Sequence, residues 1–334
     1  MTVKKQPQSG FVLVLTLWVL VVVALAAGYF AERVTRSVEL AQQSNLNTLA
    51  TIDMASTRAE LLYRLATTSV TVYGLGKGTA TISLDNRPYH GLGNTLWQIQ
   101  DNRGLLNLNA VEDERLGRLL GILGIPGDQR AHLIDTLRDF TGDDHLHRLN
   151  GADKGAYLAL NLPPPPNRNL LTPWEARAII GWRDAPQLWE NARLAQLTTT
   201  GVATGLNPNT ATVEILATLP GFTDEIARRI IAQRQLLPFT DTRQLGNFTG
   251  IPIQPFEDII SFLPSNSLRI TQSAHGLPWA IQYSIKLTPK SNQAPWQFDY
   301  YSRFSAAQPG AGDVKSTILG LPPRSMALPE SAPL

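Results

Sequence analysis

Ser9-Gly10-Phe11-Val12-Leu13-Val14-Leu15-Thr16-Leu17-Trp18-Val19-Leu20-Val21-Val22-Val23-Ala24-Leu25-Ala26-Ala27-Gly28-Tyr29-Phe30 is the stretch on which the reading of this chain turns. From Phe11 to Phe30 there is no charge, and a helix of that length reaches about 30 Å, the thickness of one bilayer core. Lys4 and Lys5 stand ahead of it, whereas Glu32 and Glu39 balance Arg33 and Arg36 behind it. The short basic end is therefore expected to stay in the cytoplasm. A secretory signal peptide would have a shorter apolar run followed by small residues, and Ala24, Ala26 and Ala27 keep that reading open. The order of features argues the other way: a brief basic leader, then Ser9-Gly10, then the apolar run.

Beyond the apolar run no Pro or Gly interrupts residues 31 to 67, and Leu46, Leu49, Ile52, Leu61, Leu62 and Leu65 recur at helical spacing. One long helix is expected, its second half packed on a globular domain, with Glu32, Arg33, Arg36 and Glu39 as its solvated face. Ala80–Leu84 and Leu96–Gln100 read as strands bounded by turn signals at Asp85-Asn86-Arg87-Pro88 and Gly91–Gly93. Leu268–Thr271, Ala280–Leu287 and Gln297–Phe304 read the same way, so a sheet is split by a long helical insertion.

Inside that insertion the chain repeats itself. Leu106-Asn107-Leu108-Asn109-Ala110 is matched by Leu206-Asn207-Pro208-Asn209-Thr210, and Leu116 and Leu119 by Leu216 and Leu219, at an offset of 100 residues. Each copy runs from an Asn suited to capping a helix, through a leucine-bearing helix and a Gly/Pro turn, into a second helix, Glu225 to Gln235 in the second copy. This is a helix-hairpin-helix pattern. Pro163–Pro166 is expected to divide the insertion as a stiff connector. The last thirty residues, rich in Pro, Ser, Ala and Gly, read as a flexible tail.

Composition narrows the function. The 334 residues carry 29 Lys and Arg against 27 Asp and Glu, a net charge of +2, which gives no basic field for a phosphate backbone. Residues 106–140 hold four Arg against six acids, and residues 206–245 four against four. Phe222-Thr223-Asp224 also puts a carboxylate where a hairpin would grip phosphate. No nucleic-acid partner is expected. The absence of cysteine excludes disulfides, thiolate catalysis and cysteine-bound metal. No Gly-x-Ser-x-Gly elbow, Walker loop or His-Glu-x-x-His helix occurs, so an enzyme is not expected. His145 and His147, two apart, could share a metal only on an extended strand, and surface polarity explains them as well.

The leader around Gly10 resembles the prepilin signal of type IV pilins and secretion pseudopilins. By that resemblance Gly10 and Phe11 flank a bond cut by prepilin peptidase. The family pattern has Glu at the fifth mature position, where this chain has Leu15. A carboxylate in hydrocarbon needs a partner, which the family picture takes from a neighbouring subunit's terminal amine. Leu15 would then mark a subunit at the tip, or be one more residue of a plain membrane anchor.

The order of parts resembles type II secretion system protein K, a minor pseudopilin, over nearly all of residues 8–304. Leu206–Leu219 with its hairpin, the leader, and Asp139-Phe140 leading to Gly151-Ala152-Asp153 and Tyr157 carry the resemblance. Phe140, Gly142 and Asp153 depart from the family's usual residues there. The resemblance implies an α+β fold: a pilin-like long N-terminal transmembrane helix packed on a small antiparallel sheet, with a large all-α insertion of two helix-hairpin-helix-like lobes. Expected parts are a leader 1–10, a span 11–30, a pilin-like domain of 31–101 and 266–304, an insertion 102–265 with lobes of about 102–166 and 167–265, and a tail 305–334. It further implies an inner-membrane protein with a periplasmic domain, other minor pseudopilins as partners, and a role in pseudopilus assembly and protein export in which exported proteins could be contacted. Family members can carry calcium, for which Asp139, Asp143 and Asp144 are the candidate oxygen ligands. Two rivals remain: a membrane-anchored helix-hairpin-helix DNA receptor of the competence type, and a surface-anchored hydrolase.

Overall fold

The computed structural model describes residues 9–76, 78, 81–143, 147–201, 205–305 and 319–320. The expected long helix is present as α1 (Ser9–Thr67), 59 residues without a break. Its Thr and Ser hydroxyls donate to their own helix's carbonyls, as Thr35, Ser37, Thr48, Thr51 and Thr67 do four residues back, so they need no other partner. The chain divides into two compact units, residues 1–52 and 53–334. In the first, every residue from Phe11 to Leu46 is exposed.

In the second unit α1 is followed by β1 (Val70–Thr71), β2 (Gly74–Leu75), β3 (Asp85–His90), β4 (Thr95–Asp101) and β5 (Leu106–Asn107). The helical insertion comprises α2 (Asp113–Ile122), α3 (Gly127–Thr141), α4 (Lys154–Ala159), α5 (Pro186–Trp189), α6 (Arg193–Leu197), β6 (Thr198–Thr199), α7 (Val213–Leu216), α8 (Asp224–Leu236) and α9 (Thr242–Thr249). The chain then returns to the sheet as β7 (Ser267–Ala274), β8 (Trp279–Leu287) and β9 (Trp296–Ser305), with a short β10 (Leu319–Gly320). The six strands lie in the order β10-β3-β4-β7-β8-β9, antiparallel except where β10 runs parallel to β3. Because β4 and β7 are paired neighbours, with Asp101 opposite Leu268, the whole insertion leaves and re-enters the sheet at one end of that pair.

Alternation sets the sheet's faces. Trp97 and Ile99, Leu268 and Ile270, and Tyr283 and Ile285 form one apolar layer, closed by Leu61, Leu62 and Leu65 of α1. Tyr89 stacks on Trp97 at 4.5 Å between centroids, and the Trp97 indole donates to the His90 carbonyl at 3.1 Å. The β3–β4 turn lies directly against α1: Leu92 N donates to Thr57 Oγ1 at 2.9 Å. A side chain at Gly91 would collide with Thr57, and Gly93, at φ +57°, is equally closed by Asp53.

Several expectations need correction. The buried stripe of α1 begins at Met54; Leu46, Leu49 and Ile52, expected to continue it, are 58%, 51% and 55% exposed. Asp85-Asn86-Arg87-Pro88 is not a turn but the start of β3. Its turn chemistry is spent on a bulge, with Asn86 at φ +67° and the register shifting between Asp85 and Pro88, and the proline sits on a strand whose outer neighbour is only the two-residue β10. Of the strand expected over Ala80–Leu84, Ala80 lies outside the described residues and Ile82 makes only an isolated bridge to Leu75. The leader's first eight residues, and all of the tail from residue 306 on except 319–320, also lie outside the described residues.

Both copies of the repeat are present, but Pro163–Pro166 does not separate two cores. Leu116, Leu119, Leu137 and Tyr157 from the first copy and Leu216, Leu219, Ile230 and Phe239 from the second belong to one apolar cluster. Arg115 and Arg118 donate across the join to the Thr218 hydroxyl and carbonyl at 3.4 and 3.3 Å.

Candidate membrane anchor and assembly surfaces

Among the described residues one helix is long and apolar enough to cross a membrane, the stretch from Phe11 onward. Gly10 and Phe11 fall in its first turns and Leu15 one turn further, 54% exposed. The Thr16 hydroxyl donates to the Leu13 carbonyl at 2.9 Å, which lets it sit among apolar neighbours. Glu32 and Arg36 form an exposed pair four residues apart at 2.6 Å beyond the apolar run.

The repeat has a function in the fold that the sequence reading missed. Asn109 and Asn209 do not cap helices; Thr212 and Thr223 cap α7 and α8. Instead each Asn clasps a distant loop by both backbone groups. Asn109 donates to the Leu170 carbonyl at 3.0 Å and accepts from Leu170 N at 2.9 Å, and Asn209 does the same with Phe239 at 2.8 and 2.8 Å. Asn107 and Asn207 in turn accept from the backbone N of Asn109 and Asn209, each at 3.0 Å. Arg138 and Arg234 close the two loops from the second helices, donating to the carbonyls of Leu108 and Val111 and of Pro208 and Ala211. Gly124 and Gly221, at φ +90° and +78°, make the two hairpin turns. The repeated Leu-Asn-x-Asn was the visible signal; a side chain that can serve as both donor and acceptor is what the clasp requires.

Where the insertion meets the sheet, buried polar groups replace apolar contact. Asp101 is fully buried and accepts five hydrogen bonds: Oδ1 from Arg103 N (3.1 Å), Ser265 N (2.9 Å) and Ser265 Oγ (2.8 Å), Oδ2 from Asn207 Nδ2 (3.1 Å) and Thr210 Oγ1 (3.0 Å). One carboxylate thus holds the end of β4, the second repeat and the return into β7. Arg269 of β7, also buried, donates to the carbonyls of Ala195 and Gln196 at 2.6 and 2.7 Å, at the C-terminal end of α6, where carbonyls lack helix partners. Burial lowers its pKa to about 10.

A third seam joins β3 to α8. Arg87 grips Asp85 with two hydrogen bonds of 2.8 and 2.7 Å, and Arg234 Nη2 approaches the same carboxylate at 3.6 Å. Burial pushes the Asp85 carboxyl up, but the Arg87 hydrogen bonds and the charges of Arg234 and Arg87 outweigh it and leave it below its ordinary 3.8. A carboxyl depressed by folding adds stability that is whole above its unfolded value and is lost as pH falls through the folded one. Thermal unfolding followed downward from pH 5 should therefore fall more steeply in the wild type than in Asp85→Asn, and identical acid limbs would contradict it.

At the end of α3, Asp139 accepts from Arg148 N at 3.2 and 3.4 Å, and Asp143 is exposed. Asp144 and His145 lie outside the described residues. Among the described residues no three acidic or imidazole groups are placed to hold a metal ion, and two carboxylates do not furnish the six to eight oxygens calcium takes. The described residues alone do not fit a calcium site. Thermal unfolding with and without a chelator decides the point: a fall of the midpoint by more than about 2 °C would show that Asp144 and its loop complete a site, and an unchanged midpoint would remove it.

A long apolar N-terminal helix whose last turns lie on an antiparallel sheet, with a helix-hairpin-helix insertion between two central strands, is a pilin-like architecture. Residues 94–232 match the family model described as type II secretion system (T2SS), protein K, and residues 201–264 match that of the helix-hairpin-helix motif. Over residues 94–232 the chain thus carries the domain that the type II secretion protein K model describes. Among solved structures, a chain of the GspK–GspI–GspJ complex from the enterotoxigenic Escherichia coli Type 2 Secretion System is similar, with 17% identity and a TM-score of 0.49 over 81% of this chain and 99% of that one. No curated protein sequence matches the chain.

Proposed function

We propose that this chain is a type II secretion protein K, held in the bacterial inner membrane by α1, with its N-terminus cytoplasmic and its folded unit periplasmic. Prepilin peptidase trims it between Gly10 and Phe11, and it then takes the tip position of the pseudopilus, supporting assembly and the export of folded proteins. The observation that carries this is the uncharged, wholly exposed helix surface from Phe11 to Phe30, with leucine at position 15. Apolar area that leaves lipid must be covered again, at about 25 cal/mol per Å², and companion helices are the cover available in a pseudopilus. Leu46, Leu49 and Ile52, exposed past the span, extend the same demand and favour other minor pseudopilins as partners.

The DNA-receptor reading is not taken up. Arg138 and Arg234 are spent on loop carbonyls, and Asp224 and Glu225 occupy the first turn of α8 where a phosphate would be received. The intact mass of protein purified from cells with a working secretion system tests the proposal. A mature chain beginning at Phe11 is expected; one that starts after Ala27, or retains Lys4 and Lys5, overturns it.

A further inference from the structure

The seam between β3 and α8 holds a charge that its own residues leave unbalanced. Among the described residues Asp85 is the one carboxylate lining a cavity of about 190 Å³ in which Arg87 and Arg234 both take part, so two guanidiniums face one anion. Arg234 has a side chain only 6% exposed, and its Nε has no hydrogen-bond partner. Its nearest ion-pair contact to Asp85, 3.6 Å, is longer than a hydrogen bond, and the carbonyls of Pro208 and Ala211 offer dipoles rather than charge. Arg87 is a third exposed and spends Nε and Nη2 on Asp85, which leaves Nη1 turned from that carboxylate. Burial lowers the Arg234 pKa to about 10, still well above neutrality, so the guanidinium stays charged in its cavity.

We propose that this cavity is a binding site for a carboxylate, supplied by an acidic side chain or chain end of a companion subunit. Geometry and charge choose the ligand class. A planar carboxylate matches the outer edge of Arg87, Nη1 with the second hydrogen of Nη2, and adds the single negative charge the cluster lacks. A phosphate would add nearly two and set them beside Asp85, so it should bind less well. The volume admits a carboxylate with a short stem and little more, and Tyr73 at the cavity wall offers a hydroxyl donor to it. Since Asp85 and Arg87 belong to the sheet and Arg234 to the insertion, an occupant would tie the two together. The inference deepens the proposed assembly role by giving a companion subunit a chemical foothold, yet it stands on the cavity alone.

The full-length chain in a neutral detergent should be titrated with glutarate, phosphate and chloride at matched ionic strength and neutral pH, with the unfolding midpoint as readout. Glutarate at millimolar concentration should raise the midpoint by about 2–4 °C over chloride, and phosphate should do less. Arg87→Gln should abolish the glutarate effect, and Arg87→Lys should weaken it, since an ammonium keeps the charge without the fork. Should Arg87→Gln fail to fold, the wild-type comparison of the three anions still decides. Equal midpoints in glutarate and chloride, phosphate acting as strongly as glutarate, or a glutarate effect that survives in folded Arg87→Gln, overturns the proposal. Mature protein that fails to begin at Phe11 would instead count against the assembly role while leaving this cavity untouched.

Discussion

Replacing Asp101 by alanine is expected to destabilise the folded unit by about 3–5 kcal/mol, comparable to breaking a buried ion pair. The carboxylate has no exposed surface and satisfies five donors from three chain segments. Its removal strands Asn207 Nδ2 and the Ser265 amide and leaves Thr210 Oγ1 only its 3.4 Å contact with the Asn207 carbonyl, and each buried donor so stranded costs about 1–3 kcal/mol before relaxation. Asp101→Asn separates charge from shape: it keeps the volume but turns an amide group toward donors, so a loss of about 2–3 kcal/mol should remain. Urea unfolding of the full chain in detergent measures both. Because Asp101 stands at the exit of the insertion and Ser265 at its return, proteolysis near residues 261–266 should also quicken in either variant. A loss under about 1 kcal/mol for Asp101→Ala would mean that the donors find other partners and that the junction is not held at this point.

That junction also marks where sequence reasoning stopped. The long apolar helix, the strands β4, β7, β8 and β9, the second helix of each hairpin and the repeat offset were legible because each rests on a local regularity: an uncharged run, a period of two, a period near four, or a recurring Leu-Asn-x-Asn. Asp101 carries no such mark. It follows a strand like any surface acid, and its partners lie more than 100 positions away at Asn207, Thr210 and Ser265. Arg269 was equally silent, a charge inside a strand whose purpose is visible only once α6 ends above it. The Asn clasps were half legible. Their repetition was seen, but the same donor and acceptor chemistry suits a helix cap and a loop clasp, and only the positions of Leu170 and Phe239 distinguish the two. Asp85-Asn86-Arg87-Pro88 misled for a related reason, since a bulge and a turn ask for the same residues at positive φ.

Leu15→Glu is the substitution expected to act most strongly on assembly, and it tests the tip position directly. A carboxylate in hydrocarbon costs about 2.5–3.5 kcal/mol at the bilayer centre and less toward either end, so a drop of tenfold or more in productive assembly is expected when nothing compensates it. Compensation requires a neighbour. A subunit within the pseudopilus has another above it, whose terminal amine can meet the new charge, and such a subunit should accept glutamate with little loss. A subunit at the tip has none, so its glutamate stays unpaired as the helix moves from lipid into the bundle. Export of a secreted reporter by cells carrying the variant as their sole copy is the measure, with protein level as a check on stability. Leu15→Gln serves as the control for polarity without charge and should do less harm. Export at the wild-type rate with Leu15→Glu would remove the tip assignment while leaving the match of residues 94–232 to the protein K model intact.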